Sequence, residues 1–338
     1  MSLRCLASRW TGTLLLAFAA FAHAATSPQQ ASVDAIARAM QAVVGLQVTA
    51  AEDARSAETL GPQREGSGVV IGADGLILTI GYLILEADTI QVTTHDNRVL
   101  PARAVGYDQA TGFGLVRTVL PLRGIQPVAL ASSRGMALRS TVLAASGGED
   151  GSMELTQLVS ARPFSGYWEY HIDNALFTSP PMQNHSGAAL FSQRGELLGI
   201  GSLFVGDALG EGRQVPGNMF VPVDLLMPIL SEMQQTGSTR VSRRPWLGVS
   251  STETGGRVQI LRVNRDSPAQ AAGLAPGDVV LAIDGEKVTT LEAFYKKLWA
   301  RPEPESEVKL TILHGADIQQ VTVRAIDRMT TMRKPAGI

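Results

Sequence analysis

Cysteine is almost absent from the chain, and its one instance, Cys5, lies in a segment that we expect to be removed. Arg4 and Arg9 precede an apolar run of about ten residues, and alanines at positions 22 and 24 supply a cleavage site for a signal peptidase. The run is too short to cross a membrane, which takes ~20 apolar residues. This pattern predicts a signal peptide over residues 1–24 and a mature chain without disulfides, thiol nucleophile or Cys-ligated metal.

The net charge is small, and aromatic residues are scarce. The formal net charge is −2, so there is no electrostatic case for nucleic acid or for an anionic membrane surface. No spacing of histidines and carboxylates predicts a metal site, and we expect no cofactor. Aromatic residues make up 5% of the chain while it has 34 glycines, which favours a turn-rich β architecture over a helical bundle.

Short apolar runs separated by Gly, Asp and Asn dominate the chain from residue 66 to residue 222. Such runs are typical of strands in an all-β barrel or sandwich. The pattern predicts strands over 68–71, 76–79, 89–92, 99–105, 115–116, 197–200 and 219–222. A helix with Ser32 as its N-cap is predicted before them over 32–44, and another follows over 224–235. Residues 234–244 are polar and are interpreted as a linker.

The segment after this linker has a mixed α+β pattern. Strands are predicted over 258–263, 279–283, 308–313 and 319–323, with helices over 267–272 and 291–300. Three runs resemble a PDZ domain of the bacterial protease-associated type: Trp246-Leu247-Gly248-Val249, residues 266–274 and residues 277–285. The resemblance places a PDZ domain at 245–327.

A PDZ domain binds an extended peptide by adding it to a strand edge and by holding its terminal carboxylate in backbone N–H groups. The resemblance therefore implies a peptide-binding site at Trp246, Leu247, Gly248 and Val249, in which Gly248 lets the N–H groups turn inward. Leu247 and Val249 are expected to line an apolar pocket, with Leu291 on its far wall. The alternative is that these are ordinary core residues.

The preceding segment is similar to the HtrA/Deg family of trypsin-fold serine proteases. Three landmarks carry the resemblance: residues 66–71, residues 105–108, and Ser186-Gly187 together with residues 195–200. We therefore expect a mainly β protein with a trypsin-like double β-barrel over 25–240, followed by the small α+β PDZ domain.

The residues that should activate the serine are replaced. The family places its catalytic histidine in a Thr-x-x-His segment, and Thr79-Ile80-Gly81-Tyr82 puts Tyr82 at that position. The catalytic aspartate corresponds to Gly112. The nucleophile segment, Asn184-His185-Ser186, keeps Ser186 as a vestigial nucleophile. The oxyanion region, formed by these three residues, has Asn184 instead of the usual glycine, and Asn tolerates unusual φ better than most residues.

Two roles are open for Tyr82. The favoured one is that its ring fills the space of the missing imidazole and packs against Phe113, and the other is a hydrogen bond toward Ser186. Tyrosine, with a pKa of about 10, is a poor general base at neutral pH. Another base would have to be a histidine, and the candidates are His185, with His171 and His95 on the surface and His314 in the PDZ segment. Asp108 and Asp173 are interpreted as solvated loop acids.

Together these features favour a non-catalytic, HtrA-like protein of the periplasm or cell exterior that binds peptides or protein C-termini through its PDZ domain. The alternatives are a serine endopeptidase that uses Ser186 with an unconventional base on unfolded proteins, and a decoy that regulates an active protease partner. The resemblance also implies a homotrimer, because family members assemble through the protease domain near its N-terminus. Residues 25–64 contain no aromatic residue, which does not favour such a contact. We expect no membrane span in the mature chain.

Overall fold

The computed structural model of the chain describes residues 28–210 and 212–333, so the predicted signal peptide lies outside the described residues. Within those ranges, no helix combines the length and the apolar character needed to cross a membrane. The first element is helix α1 (Pro28–Gln41), in which Ser32 is an internal residue, so the predicted N-cap is wrong. Val43 and Val44, expected at the end of that helix, instead begin strand β1 (Val43–Ala50) because β-branched side chains pack well in a sheet.

The first half of the N-terminal region is a closed six-stranded barrel. Its strands are hydrogen-bonded in the order β1, β2, β3, β6, β5 and β4. The barrel closes because β1 pairs with both β2 and β4. After the short helix α2 (Ala57–Leu60), the bounds are β2 (Gln63–Val70), β3 (Leu76–Ile80), β4 (Ala87–Thr93), β5 (Val99–Tyr107) and β6 (Phe113–Thr118).

A second closed six-stranded barrel follows, in the order β10, β11, β12, β9, β8 and β7. Its strands are β7 (Thr141–Ala145), β8 (Met153–Gly166), β9 (Tyr170–Ser179), β10 (Ala189–Phe191), β11 (Leu197–Val205) and β12 (Gly217–Pro222). Strands β7, β8, β9 and β10 were not predicted, and β8 in particular alternates exposed and partly buried residues and has no continuous apolar run. The β8–β9 hairpin is paired as far as Gly166 and Tyr170, which leaves a turn at residues 167–169.

The predicted helix over 224–235 is split. A short 3-10 helix (Val223–Leu225) precedes helix α3 (Leu230–Thr236), which ends at Gly237 with a left-handed φ of 77°. The carboxylate of Asp224 accepts hydrogen bonds from the hydroxyls of Ser132 (2.5 Å) and Ser133 (2.7 Å). Asp224 therefore connects the start of this region to a loop of the barrels.

The polar segment interpreted as a linker is fixed to the first barrel. Asp108 is 0% exposed, and its Oδ1 accepts hydrogen bonds from the hydroxyls of Thr239 and Ser242, both at 2.5 Å. Its Oδ2 accepts bonds from the backbone N–H (2.7 Å) and the hydroxyl (2.6 Å) of Thr111. The interpretation of Asp108 as a solvated loop acid is therefore wrong, because it joins residues 239–242 to the β5–β6 loop.

Over its described residues, the C-terminal region has a six-stranded sheet, a separate two-stranded sheet and two α-helices. The strands of the larger sheet are β14 (Val249–Thr254), β15 (Arg257–Val263), β16 (Val279–Ile283), β18 (Glu307–His314) and β19 (Asp317–Arg324), and β17 (Glu286–Lys287) pairs with β16. A separate two-stranded sheet joins β13 (Pro245–Trp246) to β20 (Ile326–Asp327). Helix α4 (Pro268–Ala271) and helix α5 (Leu291–Trp299) are capped by the Ser267 and Thr290 hydroxyls. The expected fold class, a mainly β double barrel followed by a small α+β domain, is confirmed.

Candidate functional site

Ser186 lies where the two barrels meet. The loop before β10 carries it, and its carbonyl oxygen accepts a hydrogen bond from the N–H of Ser67 in β2 (2.8 Å). Gly187 follows with a φ of +73°, and a methyl group there would come within 2.0 Å of the Ser67 carbonyl oxygen. Only glycine allows this approach of the two chain segments. The position of Ser186 is thus set by backbone contacts from both barrels.

Tyr82 contacts this serine directly. It lies in a short 3-10 helix (Gly81–Leu83) that follows β3. Arg64 holds this helix in place by donating a hydrogen bond to the Tyr82 carbonyl oxygen (3.1 Å). The Tyr82 hydroxyl oxygen is 2.8 Å from Ser186 Oγ and 2.9 Å from the carbonyl oxygen of Ser202. The favoured expectation, that Tyr82 acts only as a space-filling core residue, is wrong, because its hydroxyl is hydrogen-bonded to Ser186.

The proton arrangement of this pair follows from its three oxygens. Tyr82 has one hydroxyl proton, and the Ser202 carbonyl oxygen can only accept. Tyr82 therefore donates either to Ser186 Oγ or to the Ser202 carbonyl oxygen, and in the second case the Ser186 hydroxyl donates to Tyr82. Taking that proton would require a phenolate, but burial raises the pKa of Tyr82 to about 12. At pH 7 Tyr82 is then a neutral phenol, which is a poor general base for Ser186.

The backbone and the surroundings of Gly112 disfavour a side chain at this position. Its φ is +83°, a conformation that L side chains rarely adopt. A methyl group on it would lie 3.2 Å from the hydroxyl oxygen of Tyr170. Tyr170 is buried and donates a hydrogen bond of 2.5 Å to the carbonyl oxygen of Thr111. The Tyr170 side chain therefore occupies the space next to Gly112.

The predicted oxyanion region has a tight local turn. The His185 N–H donates to the Gln183 carbonyl oxygen (2.9 Å), and Nδ1 of the same ring is 2.9 Å from that oxygen. A carbonyl can only accept, so Nδ1 carries the proton and the ring is directed at Gln183. The Asn184 amide donates to the Asp150 carbonyl oxygen (3.3 Å), and the backbone of Asn184 does not have a positive φ. The role of this region as an oxyanion hole stays a prediction.

His171 is not a surface residue, contrary to expectation. It is 8% exposed, with Nδ1 2.9 Å from Ser165 Oγ and Nε2 3.2 Å from Asp173 Oδ1. The Asp173 side chain is exposed as expected, but it lies in strand β9 and not in a loop. His171, Asp173 and Glu292 could together hold a cation, but the Lys296 ammonium already donates to both carboxylates at 2.7 Å. This cluster joins β9 to α5 and offers Ser186 no base.

The two remaining histidines also have local roles. His95 lies in the exposed turn between β4 and β5, as expected. His314 ends β18 before the turn at Gly315, and its Nδ1 is 2.6 Å from Asp278 Oδ1. Neither is hydrogen-bonded to Ser186.

The predicted peptide-binding residues of the C-terminal domain are buried. Leu247, Val249 and Leu291 belong to its hydrophobic core, and Trp246 is 6% exposed. The structure therefore favours the core alternative for these side chains over an open apolar pocket. Gly248 has a φ of +85°, and a methyl group there would lie 2.3 Å from the Ser267 Cβ. The backbone N–H groups of residues 247–249 all point at one acceptor, the carboxylate of Glu169, which the sequence analysis had not identified.

A cavity of about 540 Å³ lies between Tyr82 and the C-terminal domain. Aromatic rings and guanidinium groups line much of it, including those of Tyr82, Tyr107, Trp168, Trp246, Arg262 and Arg328. The cavity thus extends from Tyr82 to the start of the C-terminal domain.

The two barrels and the sheet with its glycine loop define a trypsin-like peptidase fold followed by a PDZ domain. Residues 66–200 match the family model "Trypsin-like peptidase domain", and residues 245–325 match "PDZ domain". The serine endoprotease DegS of Haemophilus influenzae is 30% identical over 274 residues, which cover 76% of each chain. The chain belongs to the HtrA/Deg family of trypsin-like serine proteases.

Other relatives are longer than this chain. The "Probable periplasmic serine endoprotease DegP-like" of Halomonas elongata is 27% identical over 289 residues, which cover 80% of this chain and 58% of that relative. Among solved structures, the one described as "HtrA-type protease AlgW with tripeptide" matches with a TM-score of 0.53 and 22% sequence identity. The match covers 87% of this chain and 96% of the AlgW chain. A serine endoprotease from Yersinia pestis gives the same score and identity, with 87% and 97% coverage.

Proposed function

We propose that this protein is a serine protease homologue without proteolytic activity that binds peptides or protein C-termini through its PDZ domain. The observation that carries the proposal is the hydrogen bond between Ser186 and Tyr82. A neutral phenol stands where a general base is required, and Gly112 supplies no carboxylate to orient a substitute. Loss of the base costs about 10⁶ in turnover, which reduces a typical ~10 per second to about one event per day.

The positions of the histidines support the same conclusion. His185 directs Nδ1 at the Gln183 carbonyl, and burial lowers the pKa of its imidazole. His171 is hydrogen-bonded within the cluster next to α5. Neither is hydrogen-bonded to Ser186, so the alternative of an endopeptidase with an unconventional base has no support from these contacts.

The binding part of the proposal rests on the glycine loop at Gly248, whose inward N–H groups suit a carboxylate. A relative of the same fold is described with a bound tripeptide. The expected test is that a peptide with a free C-terminal carboxylate binds and loses affinity when amidated. Equal affinity of the two forms would contradict carboxylate recognition. The proposal includes a location in the periplasm or outside the cell, which the printed descriptions of the periplasmic relatives support.

The loss of catalysis is tested by labelling purified mature protein with a fluorophosphonate probe and by incubating it with unfolded casein. The matched variants are Ser186→Ala, which removes the nucleophile, and Tyr82→Phe, which removes only the phenolic hydroxyl. Trypsin serves as the active control. We expect neither labelling nor cleavage. Labelling and cleavage that disappear in Ser186→Ala would refute the proposal, and His185 and His171 would then be mutated.

A further inference from the structure

The turn that joins β8 to β9 reaches into the PDZ domain. Its last residue, Glu169, is 2% exposed although it carries a carboxylate. Oε1 of Glu169 accepts hydrogen bonds from the N–H groups of Gly248 (2.7 Å) and Val249 (2.9 Å), and Oε2 accepts one from Leu247 (3.0 Å). Three successive N–H groups around one carboxylate are the arrangement by which a backbone nest captures a peptide terminus. Here a side chain of the same chain supplies that carboxylate.

The backbone of this turn is bonded to both walls of the PDZ groove. On one side, the N–H of Ser251 in β14 donates to the carbonyl oxygen of Tyr167 (2.8 Å), as it would to an added peptide strand. On the other side, the Tyr295 hydroxyl of α5 donates to the Gly166 carbonyl oxygen (2.9 Å) and accepts from the Glu169 N–H (3.3 Å). The turn therefore lies between β14 and α5.

The turn is shaped for this position. Glu169 has a φ of +58°, an unusual conformation for a non-glycine residue. The Trp168 ring stacks on Tyr170 with centroids 5.5 Å apart, and a methyl group on Gly166 would come within 2.7 Å of the Trp168 ring. A strained glutamate, a ring stack and a required glycine thus fix the carboxylate in the nest.

We propose that residues 166–169 are an internal ligand of the PDZ groove, so that the groove is closed to other peptides until this turn withdraws. The inference rests on the proposed peptide-binding function, because the competitor is a peptide with a free C-terminal carboxylate. Two carboxylates cannot accept from the same three N–H groups, so binding of the peptide and docking of Glu169 exclude each other. The apparent affinity for the peptide is then reduced by the fraction of molecules in which the turn is docked.

The test measures binding of fluorescein-labelled decapeptides that end in Val, Leu or Phe, each with a free or an amidated C-terminus, to the mature chain. Glu169→Gln keeps the shape of the side chain and removes its charge. Glu149→Gln makes the same change at an exposed position of the same domain. We expect the free-carboxylate peptides to bind at least about tenfold more tightly to Glu169→Gln than to the wild type, with Glu149→Gln unchanged. Equal affinity of Glu169→Gln and the wild type would overturn the inference and leave PDZ binding intact.

Amide hydrogen exchange over residues 247–251 separates this inference from the peptide-binding proposal. We expect exchange to be slow in the wild type and faster in Glu169→Gln and in Tyr295→Phe, which removes the hydroxyl bonded to the turn and keeps the glutamate. If exchange accelerates but no peptide binds any variant, the internal ligand stands and the proposed function fails. Unchanged exchange in both variants, with native melting curves, would overturn the internal ligand.

Discussion

Restoring the missing catalytic residues is expected to fail for structural reasons. In the double variant Tyr82→His, Gly112→Asp, the imidazole is shorter than the phenol, so its Nε2 stops short of Ser186 Oγ. At Gly112 the left-handed φ of +83° costs a non-glycine residue about 1–2 kcal/mol. The new side chain would also displace Tyr170 from its bond to Thr111, at a further cost of about 1 kcal/mol. We expect Gly112→Asp to lose about 2–3 kcal/mol in total.

The assay combines thermal unfolding with cleavage of unfolded casein. For a region of this size, the loss corresponds to a melting temperature lower by about 4–12 °C. Gly124→Asp is the matched control, because Gly124 has a φ of +80° but no atom within 4 Å of an added methyl group. It carries the backbone strain alone, so the difference between the two variants measures the displacement of Tyr170. Ser186-dependent cleavage by the double variant, or equal stability of Gly112→Asp and Gly124→Asp, would refute the reasoning.

Three further outcomes follow from the same contacts. Burial raises the pKa of Tyr82 to about 12, so the phenol stays neutral below that pH. Fluorophosphonate labelling of Ser186 should therefore stay absent up to pH 10. Labelling that increases from pH 7 upward and is lost in Tyr82→Phe would contradict this prediction. Gly248→Ala should destabilise the PDZ domain by about 2–4 kcal/mol, because the added methyl group would overlap Ser267. Chemical denaturation measures the change, and an unchanged free energy of unfolding would disprove the close contact. Asp108→Ala should lower the free energy of unfolding by about 3–5 kcal/mol, because it leaves the hydroxyls of Thr239 and Ser242 without an acceptor. Calorimetry measures this loss, and a value under about 1 kcal/mol would show that the linker is held by other contacts.

The sequence predicted elements where local patterns determine the structure. Strand β16 (Val279–Ile283) lies at its predicted bounds, and α5 begins at Leu291 as predicted, because a capping threonine precedes an amphipathic run. The assignment of Tyr82 and Gly112 to the positions of the catalytic histidine and aspartate stays a prediction, which rests on the landmark that precedes each position. Such features depend on neighbours along the chain.

Contacts between distant segments were not predictable. The hydroxyl of Tyr82 meets Ser186 across 104 positions, and Glu169 meets Leu247 across 78. The Tyr167-Trp168-Glu169-Tyr170 run is conspicuous in a chain poor in aromatics, yet its hairpin was missed because β8 has no apolar run. Asp108 looked like a loop acid because the hydroxyls that surround it are supplied by residues 239–242.

Two consecutive residues of the β8–β9 hairpin occupy two separate places. Glu169 fills the nest of the PDZ domain, while Tyr170 stands beside Gly112 in the first barrel. Because the two residues are adjacent in the chain, we expect a ligand that draws Glu169 out of its nest to perturb the packing of Tyr170 on Gly112 as well. Where two sites are coupled, linkage is reciprocal: a molecule that binds beside Tyr170 and changes the peptide affinity of the PDZ groove has its own affinity changed by the peptide by the same factor. The hairpin thus connects the loop beside Gly112 to the nest of the PDZ domain.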